Sequence, residues 1–495
     1  MSLVPLAGGT TIGGVFMARN ITPKDKDYSQ WYLDVIKAAE LADYAPVRGC
    51  MIIRPNGYAV WESIMSEMDR RFKETGHVNA YFPLLIPNSF LEKEKEHVEG
   101  FAPECAVVTH AGGEELEEPL VIRPTSETVI GYMYSKWVQS WRDLPLLINQ
   151  WCNVMRWEMR PRLFLRTSEF LWQEGHTAHA SRAEAMEETL KMLEVYRVFM
   201  EEILALPVVS GEKSEGERFP GADNTYTCEA MMSDRKALQA GTSHFLGQNF
   251  ARAFDIKFQN QGGELEFAWT TSWGTSTRMI GAVVMAHSDD DGLILPPRLA
   301  PVKAVILPIS TDAEKLEKEI LPRAREIASA LNRVLGPMAV QVDTDFHLRP
   351  GDRFFRHLQK GVPLRLELGE REMEAGKVRA VRRDTAEKAE ISWESVATEI
   401  PALLETIQKA LFEKAASFRD ANTRHASSFE EMKTLLEDGG GFITAYFGGD
   451  RSDEKAIKEA TGATVRCFPL SDKRTGTCFF TGKEDAKLAI FARAY

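Results

Sequence analysis

The residues best suited to chemistry lie together in one stretch, from Val154 to His179 (VMRWEMRPRLFLRTSEFLWQEGHTAH). Its polar residues have the period-two spacing of a strand–loop–strand hairpin, in which alternate side chains share a face. Arg156 and Glu158 therefore point the same way on the first arm. The second arm carries a matching set of aromatic and ionisable residues, preceded by a further arginine: Arg166, Phe170, Trp172, Glu174 and His176.

This hairpin predicts a nucleotide-binding site. Arginine binds phosphate oxygens through a bidentate fork, and an aromatic ring stacks on a base or beneath a cation. Neither of the common glycine-rich phosphate loops fits the N-terminal GGTTIGG, so the hairpin would bind the nucleotide without one. The alternative is a solvated hairpin with surface ion pairs, the commoner meaning of an isolated Arg-x-Glu.

Two elements are predicted before the hairpin. Apolar residues recur at three- and four-residue steps from Asn56 to Thr75, which indicates an amphipathic helix that ends before Gly76. The next segment, AYFPLLIP, predicts an edge strand bounded by prolines. A second helix is predicted after RPTSET, with Thr125 or Ser126 as its N-cap.

Three elements are predicted after the hairpin. A capping box, Ser181-x-x-Glu184, begins a long helix. Alternation in GGELEFAWTTSWG then predicts a strand, followed by a helix with Ser276 and Arg278 in its first turn. A cation there is unfavourable to the helix dipole by a few tenths to about 1 kcal/mol, so an anionic ligand is expected to compensate it.

The spacing Arg156-x-Glu158 and Arg166-x-x-x-Phe170-x-x-x-Glu174 resembles motif 2 of the class II aminoacyl-tRNA synthetases. RPTSET, FLWQEGHTAH, GTSHFLGQNF and TSWGTSTRMIG resemble prolyl-tRNA synthetases of the archaeal/eukaryotic type, over roughly Asp27 to Tyr495. Several long matches in the right order are far more specific than one short motif.

The resemblance implies an α+β chain with an antiparallel-sheet catalytic core at residues 27–300. An α/β anticodon-binding domain is expected at 301–402 and a small α+β C-terminal domain at 403–495, while residues 1–26 are predicted to be a mobile segment. Residues 180–238 have room for the long helix and little else, so the editing domain inserted in bacterial-type enzymes is not expected. The helix and strand of residues 56–87 resemble motif 1, which in that family forms the homodimer interface; ordinary core packing is an equal alternative.

The implied reaction is the activation of L-proline with ATP to prolyl-adenylate and its transfer to the 3′ end of tRNA(Pro). Mg²⁺ is expected with ATP. Arg156, Glu158 and Arg278 are the implied catalytic residues. The implied ATP-binding residues are Arg156, Glu158, Arg166, Thr167, Phe170, Gln239, Thr242, Ser276 and Arg278. The implied proline-binding residues are Thr125, Glu127, Trp172, Glu174, His176, His244 and Phe245.

Expectations also follow for the last two domains. Arg365, Glu367 and Arg371 are predicted to alternate along one strand and to contact the anticodon, although an ordinary charged strand face is the commoner meaning of such a pattern. In the resembled family, four cysteines of the C-terminal domain bind zinc. The corresponding positions here are Gly448, Asp453, Cys478 and Thr481, so no zinc is expected.

Composition fits a cytoplasmic enzyme. The six cysteines have no paired spacing, and no run of about 18 apolar residues predicts a membrane helix. The net charge of −12 is unfavourable for binding a polyanion, so tRNA binding would depend on local basic patches.

Two alternative functions stay open: another amino-acid specificity, threonyl being nearest, and a non-catalytic synthetase-like protein. The absence of a Cys/His zinc set in the catalytic region speaks against the first. The presence of Arg156, Glu158 and Arg278 speaks against the second.

Overall fold

The computed structural model describes residues 20–90 and 105–495. Of the predicted mobile segment 1–26, residues 1–19 lie outside the described residues. No helix in the described part of the chain is long and apolar enough to cross a membrane.

The N-terminal part is built mostly of antiparallel strands with helices packed on them. Its strands are β1 (Ala42–Tyr44), β2 (Met51–Ile53), β3 (Val78–Asn79), β4 (Leu85–Pro87), β5 (Val107–Ala111), β6 (Glu114–Ile122), β7 (Leu146–Met155), β8 (Glu169–His179), β9 (Val208–Glu212), β10 (Asn224–Met231), β11 (Ala237–Gly247), β12 (Lys257–Gln259), β13 (Leu265–Phe267) and β14 (Trp269–Ser276). Its helices are α1 (Tyr28–Ala38), α2 (Pro55–Glu74), α3 (Glu127–Trp137), α4 (Arg182–Glu202), α5 (Asn249–Phe254) and α6 (Arg278–His287), with a 3-10 turn at Trp141–Asp143.

The predicted hairpin is present: β7 and β8 pair antiparallel over their whole length, from Leu146 opposite Ala178 to Met155 opposite Glu169. The strand predicted in AYFPLLIP is present as β4, which ends at Pro87 and lies at an edge of its sheet, although it is limited to the last three residues of the segment. β3 pairs with β7 at the edge of the large sheet, while β4 joins a separate sheet with β5 and β6.

Two helices cover the back of the hairpin sheet. The apolar stripe of α2 is buried, and its Phe72 ring lies 4.9 Å from that of Trp273 on β14. Helix α4 begins at the predicted capping box, and its Tyr196 hydroxyl donates to Gln173 of β8. A Cβ at Gly175 would lie only 2.0 Å from Trp273, so glycine is what lets this indole lie flat on the sheet.

The second domain is an α/β unit with a five-stranded mixed sheet in the order β16-β15-β17-β18-β19. Its elements are β15 (Ala304–Ile309), α7 (Ala313–Lys315), a π-helical turn (Leu316–Ile320), α8 (Leu321–Leu335), β16 (Val340–Val342), α9 (Pro350–Gln359), β17 (Leu364–Gly369), α10 (Glu370–Ala375), β18 (Lys377–Arg382), β19 (Lys388–Ser392) and α11 (Val396–Ala421). Helix α11 passes through the predicted boundary at 402/403, so the domains are joined by a continuous helix rather than by a linker.

The C-terminal domain contains β20 (Thr423–His425), α12 (Phe429–Glu437), β21 (Phe442–Phe447), α13 (Arg451–Thr461), β22 (Thr464–Pro469), β23 (Thr475–Gly476) and β24 (Ala486–Ala492). Its strand β22 pairs with β9 of the N-terminal part, Phe468 opposite Glu212. One twelve-stranded sheet therefore spans both domains, in the order β20-β21-β24-β22-β9-β10-β11-β14-β8-β7-β3 with β23 beside β24. No local pattern in the sequence predicts this shared sheet.

Candidate active site

The floor of the site is set by strand register, because directly opposed residues on neighbouring strands project from the same face. One row crosses the sheet through Gln150, Glu174, Gly274, Thr242 and Thr227. The next row crosses through Ile148, His176, Ser272, His244 and Thr225. Residues far apart in the chain thus form one polar surface.

Two cavities open on this surface. The first, of about 320 Å³, is lined by most of the residues predicted for the site: Thr125, Glu127, Arg156, Phe170, Trp172, Glu174, His176, Gln239, Thr242, His244, Ser276 and Arg278. The second, of about 220 Å³, is lined by the predicted Glu158, Arg166 and Thr167. The two cavities share Arg156, Phe170, Ser276 and Arg278, which therefore mark the junction between them.

Arg156 is positioned at this junction by backbone and aromatic contacts. Its Nε donates to the Pro124 carbonyl at 2.8 Å, which leaves the two Nη groups as donors for a ligand. The guanidinium carbon lies 5.8 Å from the Phe170 ring centre and 5.2 Å from that of Trp172. These rings fix the direction of the fork without neutralising its charge.

The loop between β7 and β8 is held to the rest of the core. The Ser168 amide donates to the Gly49 carbonyl at 2.7 Å, and the Tyr32 hydroxyl donates to the Leu163 carbonyl at 2.8 Å. Glu158 and Arg166 form a long ion pair of 3.8 Å across the loop. Such a weak pair leaves both charges available to a ligand in the second cavity.

Arg278 begins helix α6, as predicted, and its Nε donates to the Leu165 carbonyl at 3.2 Å. Burial, together with the positive charges of Arg166 and Arg156, lowers the pKa of Arg278 to about 10. The residue stays protonated at neutral pH, and three arginines are held close enough to repel one another. An anion of several charges is the ligand that would relieve this repulsion.

In the first cavity Glu174 and His176 form a buried pair. Glu174 Oε2 lies 3.0 Å from His176 Nε2, while its Oε1 accepts from Ser126, Gln150 and Cys152. Burial alone would raise the pKa of Glu174, but the hydrogen bonds and charge of His176 lower it below the usual range. Glu174 is therefore an ionised acceptor in a buried position, suited to a ligand ammonium.

The start of helix α3 supplies the second carboxylate. Thr125 donates to Glu127, and both residues are buried. Ser126 occupies the N-cap position, as predicted, but its hydroxyl makes no capping bond and instead donates to Glu174. The hydroxyl groups of the RPTSET segment therefore bond to the carboxylates of the cavity and do not cap the helix.

The two histidines of the cavity differ in the direction of their pKa shifts: burial would lower the pKa of His176, but the hydrogen bond with Glu174 and the charges of Glu127 and Glu174 raise it. Burial lowers the pKa of His244 to about 3, with the charge of His176 acting in the same direction. Its Nδ1 lies 3.0 Å from Thr225 Oγ1, and its ring stands 4.6 Å from that of Phe219. His244 is therefore a neutral, aromatic wall of the cavity.

Some lining residues escaped the sequence analysis. The segment 180–238 holds more than the expected helix: β9 and β10 are joined by a loop that brings Glu217, Arg218, Phe219 and Pro220 to the first cavity. Ser272 is 3% exposed, and its hydroxyl has no hydrogen-bond partner among residues 20–90 and 105–495. The period of strand β14, with Ser276 as a known point, could have placed Ser272 on this face.

Two predicted site residues are placed elsewhere. Phe245 was predicted for the proline pocket, but it lies on the back of the sheet, where its ring stacks on Trp269 at 6.0 Å. The reason is the strand period, which puts neighbours of His244 on the opposite face. Arg371 was predicted on the strand of Arg365 and Glu367, but β17 ends at Gly369 and Arg371 lies in helix α10.

Arg365 and Glu367 do share a face of β17 and bond to each other at 2.9 Å. The Arg365 guanidinium also lies 4.6 Å from the Phe354 ring centre.

Tyr495 does not line either cavity, but it touches the hairpin loop. Its ring centre lies 5.4 Å from the Arg162 guanidinium, and its hydroxyl donates to Asp234. The chain end therefore packs against the loop that carries Arg166.

The antiparallel sheet with its arginine-bearing hairpin defines a class II aminoacyl-tRNA synthetase. Residues 108–287 match the family described as "tRNA synthetase class II core domain (G, H, P, S and T)", and residues 303–403 match "Anticodon binding domain". Residues 429–495 match "Prolyl-tRNA synthetase, C-terminal".

Relatives that align with this chain over nearly their whole length show which amino-acid specificity it shares within this class. The chain is 54% identical to "Proline--tRNA ligase" of Chloroherpeton thalassium over 492 residues, which covers 97% of this chain and 100% of that protein. It is also 54% identical to the proteins of that name from Prosthecochloris aestuarii and Chlorobaculum tepidum, each over 488 residues with the same coverage. Among solved structures, prolyl-tRNA synthetase of Cryptosporidium parvum, complexed with halofuginone and AMPPNP, superposes with a TM-score of 0.91 at 39% identity, covering 96% of this chain and 99% of that one.

The chain belongs to the prolyl-tRNA synthetase family. Its activity is the ATP-dependent ligation of proline to tRNA, through prolyl-adenylate.

Proposed function

We propose that this chain is a prolyl-tRNA synthetase of the archaeal/eukaryotic type in which the first cavity binds proline and the second binds the phosphates of ATP. The observation that carries the proposal is the junction: Arg156, Phe170, Ser276 and Arg278 line both cavities. A carboxylate bound on one side would thus face an α-phosphate bound on the other. Such placement lowers the entropy cost of attack.

Proline would be recognised by charge and by shape. Glu174 and Glu127 would accept from its secondary ammonium, and Thr125 orients Glu127. Trp172, His176 and His244 would enclose the ring, with the loop residue Phe219 stacked on His244. Neutral His244 avoids repelling the ammonium.

ATP would bind across the junction. Phe170 and Arg278 would sandwich adenine, Arg156 would hold the α-phosphate, and Glu158, Arg166 and Thr167 would fix the rest of the triphosphate. Gln239, Thr242 and Ser276 would line the nucleotide side. The structural relative from Cryptosporidium parvum was solved with AMPPNP, a nucleoside triphosphate analogue.

No group of three or more metal-binding side chains occurs in the described ranges, but Mg²⁺ with a nucleotide needs only one or two carboxylates beside the phosphates. Glu158, which lines the second cavity, fits that requirement. Bound there, Mg²⁺ would neutralise charge on the phosphates. The chain's own arginines would orient the α-phosphate for in-line attack.

A homodimer and a cytoplasmic location complete the proposal. The apolar face of α2 is buried within its own chain, so that face is not free to pack against a second copy. The case for a dimer therefore rests on the exposed residues around α2. Large apolar side chains of the neighbouring strands and of α2 itself are exposed, among them Tyr44, Ile52, Tyr58, Val78 and Tyr81 at 44–73%. Within the described ranges, Cys50, Cys152, Cys228, Cys467 and Cys478 form no disulfide, as suits a reducing compartment. Arg365 and Glu367, with Arg371 on the neighbouring helix, would meet the anticodon.

Among the twenty amino acids, proline is expected to support the fastest ATP–pyrophosphate exchange by the purified protein. The physical reason is that two buried carboxylates and an aromatic wall fit a small cyclic ammonium. The measurement is kcat/KM for each amino acid. A higher value for threonine or histidine would contradict the proposal.

Alanyl-tRNA(Pro) is expected to survive incubation with this protein. Alanine and cysteine should be activated at a low level, because a binding pocket discriminates against a smaller side chain by only about 1–3 kcal/mol per missing methylene. Between β8 and β11 the chain forms α4, β9 and β10, and β9 and β10 lie within the large sheet. Deacylation above the rate without enzyme would mean that an editing site exists.

Protein purified without a metal-affinity step is expected to contain no stoichiometric zinc. The Cys478 thiol accepts from the amides of Gly448 and Thr481, so three of the four positions aligned with zinc ligands meet around one sulfur. Zinc wants four donors, and glycine offers none. Elemental analysis and thermal melting with and without chelator check this; about one zinc per chain would show that the alignment of this domain is wrong.

A further inference from the structure

A buried ion cluster joins the C-terminal domain to the catalytic sheet. Glu229 of β10 is completely buried, and Lys213 donates to its Oε1 at 2.8 Å. Arg466 of β22 donates to Oε2 through Nε at 3.0 Å and to Oε1 through Nη2 at 3.2 Å. Burying three charges is costly unless each is paired, so such a cluster calls for a reason.

The cluster lies beside the active site. Glu229 stands directly opposite Gln239, which lines the first cavity, and its Oε1 also accepts from Thr227 in the floor of the site. The negative charge of Glu229 raises the pKa of Arg278, and the positive charge of Arg466 lowers it. Both groups are therefore within electrostatic range of the arginine at the cavity junction.

We propose that Arg466 is a positioning residue for adenylate formation: it holds the Glu229 carboxylate away from Arg278, so that Arg278 stays available to the nucleotide. The C-terminal domain would then complete the catalytic site as well as extend its sheet. The inference rests on the proposed role of Arg278 in ATP binding.

The physical argument is a competition for one carboxylate. With Lys213 and Arg466 in place, both oxygens of Glu229 are occupied. Without Arg466, Glu229 keeps its charge but loses its bidentate partner. Arg278 is a cation on which the charge of Glu229 already acts, and its attraction to Glu229 then competes with its attraction to phosphate.

The test compares steady-state pyrophosphate exchange in four proteins: wild type, Arg466→Met, Arg466→Lys and the double variant Arg466→Met/Glu229→Gln. Arg466→Met should lower kcat/KM for ATP about tenfold or more and leave KM for proline within about twofold, since only a contact to the nucleotide is lost. Arg466→Lys keeps the charge and should stay within about threefold of wild type. The double variant removes the competing charge and should recover most of the loss.

Arg451→Met is the matched control. Arg451 also connects the C-terminal domain to the catalytic core, through a pair with Glu215 at 3.5 Å, but both side chains are mostly exposed. It should leave both constants unchanged. Thermal melting of every variant separates folding from catalysis, and if Arg466→Met does not fold, the lysine and double variants decide.

Three outcomes would overturn the inference. One is an Arg466→Met enzyme with wild-type kcat/KM for ATP. Another is an Arg466→Met enzyme whose kcat/KM falls equally for ATP and for proline and is not restored in the double variant. That is the pattern of a purely structural role. The third is an Arg466→Lys enzyme as impaired as the methionine variant. A wild-type protein without proline-dependent exchange would instead refute the assigned function, so the two failures are distinguishable.

Discussion

Arg156→Ala is expected to lower the rate of proline-dependent ATP–pyrophosphate exchange by about 10²-fold or more, by analogy with the deletion of one oxyanion-hole donor. Charge develops on the α-phosphate as the carboxylate attacks, so a contact to that phosphate strengthens in the transition state. Arg156 is the arginine at the junction whose Nε is fixed by the Pro124 carbonyl and whose Nη groups remain for a ligand. The loss should therefore appear mainly in kcat.

The matched control is Arg160→Ala. Arg160 belongs to the same loop and is exposed, but it lines neither cavity. It should retain exchange near the wild-type rate. A folded Arg156→Ala enzyme within about threefold of wild type would show that the role given to Arg156 is wrong.

Glu174→Gln is expected to lower kcat/KM for proline by about 10- to 100-fold, because a hydrogen bond to a charged group is worth about 1.5–3 kcal/mol. The amide removes the negative charge and places a donor where Ser126 and Gln150 already donate. It also removes the hydrogen bond and the charge that, with Glu127, raise the pKa of His176. KM for proline should rise, while KM for ATP should stay within about twofold.

Glu169→Gln is the control for that experiment. Glu169 lies on the same strand β8, but it is exposed and bonded to Asn153 at 2.9 Å. Its replacement should change neither constant. An unchanged KM for proline in Glu174→Gln would remove Glu174 from the proline site.

Local patterns gave the parts of the site that depend on one strand or one helix turn. The period of two placed Phe170, Trp172, Glu174 and His176 on one face, because side-chain alternation is a property of every strand. The same rule, applied strictly, would have removed Phe245. The capping box at Ser181 was also predictable from the sequence, since its two partners lie only three residues apart.

Contacts between segments that lie far apart in the chain could not be predicted from the sequence. Nothing local states that β22 pairs with β9, that the loop 213–223 carries Glu217 and Phe219 to the cavity, or that Arg466 bonds Glu229. Each depends on which strand edges meet, and many pairings satisfy the same alternation.

Periods of two and of three to four residues were enough to predict the hairpin and the residue types of its face, whereas the class of chemistry followed from the resemblance of several motifs to a known family. The tertiary structure alone decided that the rows meet as two cavities with a common junction, that a serine at the N-cap serves a carboxylate instead, and that the last domain shares the catalytic sheet. Strand register and burial are properties of the assembled chain, since they balance the packing of many segments at once.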